Sequence, residues 1–81
     1  MRLWLVRWPE STGYDVYDAV VVAAESAALA IEVHPERDLY GTEEGDGHTW
    51  AADTADLEVT ELGTAVSGTE EGVILASFNA G

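Results

Sequence analysis

Gly72-Val73-Ile74-Leu75-Ala76-Ser77-Phe78-Asn79-Ala80-Gly81 is the stretch around which the other elements are laid out. Val73 to Phe78 is a short apolar run bounded by glycines, and its Val, Ile and Phe suit a strand better than a helix. Apart from Ser77, neither alternate set of positions is polar. The pattern therefore predicts a strand covered on both faces, which belongs in the middle of a sheet.

Working outward, Arg2 to Trp8 (RLWLVRW) is a second run with apolar side chains on both faces, ended by Pro9, which cannot donate to a ladder. Glu10-Ser11-Thr12-Gly13 has turn composition. Tyr14 to Ala24 follows as a valine-rich strand, and the short link implies an antiparallel hairpin. Glu25 to His34 changes period. Ser26 is placed to cap a helix, Ala27 to Ala30 are good helix formers, and Pro35 is expected to stop it. Residues 36–55 hold Gly41, Gly45 and Gly47 and many acids, and read as a long acidic loop pinned by Tyr40 and Trp50. Asp56 to Leu62 alternates as a half-exposed strand, with Leu57 and Val59 on one face.

The expected architecture is α+β in the order β-β-α-β-β. It is one domain over residues 1–81, with a four-stranded, mostly antiparallel sheet and one helix on one face. The first and last strands are placed centrally. The rival arrangement sets the third strand beside the first in an all-antiparallel sheet.

Composition narrows function by exclusion. Sixteen acids face three arginines (Arg2, Arg7, Arg37) and no lysine, a net charge of −13. Direct nucleic-acid binding and anionic membranes are disfavoured, because both need Lys and Arg. A partner with a basic surface is favoured. No cysteine is present, so no disulfide, thiolate metal site or cysteine nucleophile is available. No apolar run approaches the length of a membrane span and no signal-like segment opens the chain, so a cytoplasmic setting is expected. No serine lies in a nucleophile elbow, no lysine can serve as base, and the carboxylate pairs Glu43/Glu44 and Glu70/Glu71 lie in polar stretches. No enzyme and no cofactor are expected. His34 is read as a cap at the C-terminal end of the helix. His48, in Asp46-Gly47-His48, lacks the neighbours of a metal site, and Glu43 to Gly47 does not follow calcium-loop spacing.

Trp4, Trp8 and Trp50 serve either the core or an interface. One slim helix covers one face of such a sheet, so the other face needs the acidic loop, a second copy (a homodimer) or another protein.

The opening LWLVR, Gly13-Tyr14-Asp15, Ala24-Glu25-Ser26, Leu62-Gly63 and the closing GVILASFNAG resemble small uncharacterised proteins of bacteriophages and GC-rich bacteria. By type, the small acidic chain also resembles phage anti-CRISPR proteins and DNA mimics. That resemblance implies an inhibitor, acting in the bacterial host cytoplasm, that occupies a basic groove of a nucleic-acid-handling defence complex such as a CRISPR effector. Nine of the sixteen acids fall between Glu36 and Glu61. The candidate contact set is Glu43, Glu44, Asp46, Asp53, Asp56 and Glu58, with Tyr40 and Trp50 as anchors. On an extended strand Asp56 and Glu58 would stand roughly 7 Å apart, as a row standing in for phosphates. The alternative is a structural or accessory protein-interaction module with no nucleic-acid link, its acidity serving solubility.

Overall fold

The computed structural model describes residues 1–10, 16–40 and 49–79. Strands β1 (Arg2–Arg7), β2 (Val16–Ala24), β3 (Glu58–Thr64) and β4 (Gly72–Asn79) form one sheet in the order β3-β1-β2-β4. Every neighbouring pair is antiparallel. Between β2 and β3 lie helix α1 (Ala27–Ile31), helix α2 (Pro35–Tyr40) and a 3-10 turn at Thr54–Asp56.

The β1–β2 hairpin is the centre, and this corrects the expected place of the last strand. β4 is an edge, and β3, beside β1, is the other. The arrangement is the rival one, with the third strand next to the first. The most buried strand is β2, where Val16, Tyr17, Val20, Val22, Ala23 and Ala24 are all buried. On β4, by contrast, Ile74 is 52% exposed and Leu75 67%. An apolar run reads the same whether its second face is covered or bare, so hydrophobicity alone misplaces it.

One face of the sheet carries the core. Trp4 and Val6 of β1 stand opposite Val22 and Val20 of β2, and Val59 of β3 stands opposite Val6. Ala30 and Ile31 of α1, Val33, Trp50, Ala51 and Leu57 close over them. The small side chains of Ala24 and Ala30, both buried, let helix and sheet approach closely. The Trp4 indole N–H donates to the Ala24 carbonyl at 3.0 Å, so its polar end is satisfied inside the core. Trp8 and Trp50 meet edge to face with centroids 6.2 Å apart.

The helical region also departs from expectation. Ser26 does cap α1, its hydroxyl accepting the Leu29 N–H at 3.2 Å. Yet α1 ends at Ile31, and Pro35 opens a second helix instead of only ending the first. Proline suits a first helical position because the N–H it lacks has no partner there anyway. His34 precedes it, and its Nδ1 accepts the Glu36 N–H at 3.2 Å. His34 is therefore the N-terminal cap of α2, not a cap at the C-terminal end of α1. The first residues of the expected loop are thus helical.

The third strand begins at Glu58, two residues later than expected. Asp53 caps the 3-10 turn before it, accepting the Ala55 N–H at 2.9 Å. Residues 65–71 then cross the ends of β1 and β2 to reach the far edge, about 14 Å at three strand spacings. The Ala65 N–H bonds to the Met1 carbonyl at 2.9 Å on the way, tying the crossing to the start of β1.

At its far end the crossing enters β4 through Gly72, at φ +137°. There the Asp38 carboxylate of α2 accepts the Val73 N–H at 2.8 Å. The second helix is thereby fastened to the start of the edge strand.

Candidate interaction surface

Side chains alternate along a strand, so the register assigns the second face. Leu3 and Leu5 of β1 lie there, opposite Ala23 and Val21 of β2, and Leu75 of β4 stands opposite Val21. Arg7, Ala19 and Ser77 continue the same face, and Glu58 and Thr60 of β3 complete it. Leu5, Ala19, Val21, Leu75 and Ser77 line a shallow depression at its centre. The residues of the core cluster lie on the other face; on this one Ala23 is fully buried, Leu5 and Val21 are half-buried, and Leu75 is exposed. Among the described residues the second face is thus apolar, and it is exposed at Leu75.

Its electrostatics are unlike those of the rest of the chain. The described charges on it are Arg7 and Glu58, which are cross-strand neighbours with nitrogen and oxygen 3.9 Å apart. A molecule of charge −13 thus presents one face that is apolar and nearly neutral. The exposed ion pair adds little stability. Its consequence is that Glu58 does not stand on this face as an uncompensated charge.

The residues proposed from sequence are dispersed. Glu43, Glu44, Asp46 and His48 lie outside the described residues, and so does the side chain of Tyr40, which ends α2. Asp53 and Asp56 are exposed around the 3-10 turn, so Asp56 does not share an extended strand with Glu58. The straight row of carboxylates is therefore absent at these two positions. Trp50 is 2% exposed and belongs to the core, where it cannot anchor a partner without unfolding.

Most of the described acids between Glu36 and Glu61 are already engaged. Glu36 accepts the Thr49 hydroxyl at 2.6 Å, and Asp38 and Asp53 hold the backbone bonds described above. Glu58 faces Arg7, and Glu61 pairs with Arg2 across β3 and β1. Of the described acids from Glu36 to Glu61, Asp56 alone carries no such contact.

No group of three or more metal-ligating side chains occurs among the described residues. No described helix is long and apolar enough to cross a membrane.

Leu5, Val21 and Leu75 were not singled out in the sequence as interaction residues. Their signal was the two-sided apolarity of the first and last strands, which announces a face without naming its members. Comparison with protein-family models, with curated proteins and with solved structures returns no match to this chain.

Proposed function

We propose that this chain is a protein-interaction module that docks through the open face of its sheet. The uncovered, nearly neutral apolar face on an otherwise acidic molecule carries this reading. Exposed apolar area of this kind is costly to leave in water and is commonly an interface. The surrounding acids repel acidic neighbours and steer the module toward a basic surface, which sets association rate more than final affinity.

Within this reading the finer proposal is inhibition. The module blocks a basic, nucleic-acid-handling defence complex of a bacterial host, such as a CRISPR effector, in the cytoplasm, with Leu75 and Val21 as anchors and the acids of residues 36–61 toward the basic groove. The net charge of −13 supports it. The accessory-module reading, with no nucleic-acid link, is supported by a different observation: Glu36, Asp38, Asp53, Glu58 and Glu61 have internal partners.

Two variants separate these readings. Leu75→Asp puts a charge on the open face at an exposed position. The reversed variant changes Glu43, Glu44, Asp46 and Glu58 to Lys. Each is compared with wild type for binding to a purified CRISPR effector and for inhibition of that effector's target-DNA binding. The inhibitor reading expects wild type to inhibit and both variants to lose at least about tenfold in affinity, or ~1.4 kcal/mol. Inhibition that survives charge reversal but not Leu75→Asp removes the groove mechanism and keeps the docking face. Binding unchanged by Leu75→Asp, to any partner found, removes the docking face itself.

A further inference from the structure

The two edges of the sheet differ in charge and in what closes them. Both edge strands are irregular, β3 shifting register against β1 between Leu3 and Trp4, and β4 against β2 between Val21 and Val22 and between Tyr17 and Ala19; β3 also carries Glu58 and Glu61. Charges of this kind oppose edge-to-edge pairing. β4 has no ionisable side chain from Gly72 to Asn79.

The register shows which main-chain groups β4 turns outward. The Trp8 N–H bonds to the Asp18 carbonyl at 2.9 Å, and bonded pairs recur at every second residue of an antiparallel ladder. Val20 and Val22 therefore face β1, while Ala19 and Val21 turn their main-chain groups toward β4. Ser77 and Leu75, their partners, face β2 in return. Ala76 and Phe78 are left facing out of the sheet, and the register shift between Val21 and Val22, which skips Ile74, turns Val73 outward as well. The Asp38 bond to the Val73 N–H agrees with this, since that N–H is available to a group outside the ladder. Asp38 thus closes the edge at Val73, and the free stretch runs from Ile74 to Phe78 with Ala76 at its middle.

We propose that this stretch pairs with its own counterpart in a second copy of the chain, antiparallel about a two-fold axis at Ala76. In that register Ala76 faces Ala76 of the second copy, and Ile74 faces Phe78. Ile74 and Phe78, 52% and 44% exposed, then cover each other across the junction. No charged side chain meets another along the paired stretch. Pairing β4 to β3 of another copy would instead set an uncharged strand against Glu58 and Glu61, and would propagate as an open filament rather than close. The product is an eight-stranded sheet in which the two open faces lie side by side. Five residues from each copy make a weak contact, and each copy brings a charge of −13. Association is therefore concentration-dependent and strengthened by salt, which screens the repulsion between copies. A contact between this acidic chain and a basic partner would show the opposite salt dependence.

Sedimentation equilibrium of the purified chain, up to about 1 mM protein, tests this. From about 0.01 M to about 0.5 M salt the mass is expected to rise from 8.7 kDa toward twice that value, with dimer affinity gaining at least ~10-fold. Ala76→Pro removes an outward N–H that β2 does not use, and proline is tolerated at such edge positions. It is expected to keep the wild-type circular dichroism and remain monomeric. Ser77→Glu keeps the backbone donor but brings acids to the junction, and is expected to dimerise only at the highest salt. A wild type that stays monomeric at the top concentration and salt overturns the proposal, as does a dimer that dissociates with salt. A folded Ala76→Pro that dimerises like wild type also overturns it. If Ala76→Pro does not fold, Ser77→Glu decides, and its unchanged dimerisation overturns the pairing. Docking of the open face stands or falls separately, on the Leu75→Asp comparison.

Discussion

Trp50→Ala is expected to lower the unfolding free energy by about 3–5 kcal/mol, far more than any change on the open face. Trp50 is 2% exposed, stacks edge to face on Trp8, and closes the core beside Ala51 and Leu57. Removing a buried indole costs about 3–5 kcal/mol through lost burial and the cavity left behind. A chain of 81 residues has about 4–12 kcal/mol in total, at about 0.05–0.15 kcal/mol per residue. The loss is thus a large share of the margin of a domain too small to hold a second core. Leu75→Ala provides the contrast. It removes a side chain that is 67% exposed, and should change stability by less than about 0.5 kcal/mol. Urea unfolding followed by tryptophan fluorescence and far-ultraviolet circular dichroism measures both. A Trp50→Ala variant as stable as wild type, or a Leu75→Ala loss of core size, would contradict the assignment of the two faces.

The second large effect is at Gly72. A Cβ there would lie 2.9 Å from Asp38 Oδ2 and 3.0 Å from Oδ1, and the backbone sits at φ +137°. The carboxylate cannot simply swing aside, because it holds the Val73 N–H. Gly72→Ala therefore combines a steric conflict with a backbone conformation that side chains rarely adopt. The backbone strain alone is of order 1–3 kcal/mol, and loss of the Asp38 bond adds to it. Adding Asp38→Ala relieves the conflict but not the strain, so the double variant should lose less than the sum of the two single changes. Strict additivity in thermal unfolding would show that Asp38 and Gly72 do not meet in solution.

Local chemistry made part of this structure legible and left the rest to long-range pairing. The Ser26 cap, the β1–β2 hairpin and the second apolar face follow from features within a few residues of one another. Strand order does not. Val73 to Phe78 is apolar on both parities, which fits a buried central strand and an edge strand with a bare face equally well. Only the pairing of β2 with β4 distinguishes them. Pro35 was ambiguous in a similar way, since it ends one helix and suits the first position of the next. That ambiguity carried His34 to the wrong helix end. Asp56 and Glu58 looked like strand neighbours because Leu57 and Val59 alternate with them. Asp53 capping a 3-10 turn, a bond reaching only two residues, moved the strand start past Asp56. The site was legible as a missing cover, not as a set of residues. The charges that seemed to define it prove in several cases to have internal partners.

The pairing proposal rests on β4 being an open edge with alternating main-chain groups. Amide hydrogen exchange along β4, followed by nuclear magnetic resonance on dilute protein at low salt, tests that placement directly. The N–H groups of Leu75 and Ser77 are bonded to β2 and should be protected, while those of Ala76 and Phe78 should exchange much faster. Raising protein and salt concentration should slow the exchange of Ala76 and Phe78 and leave Leu75 and Ser77 little changed. Uniform protection of all four amides in the dilute monomer would contradict the account, because it would place β4 inside the sheet.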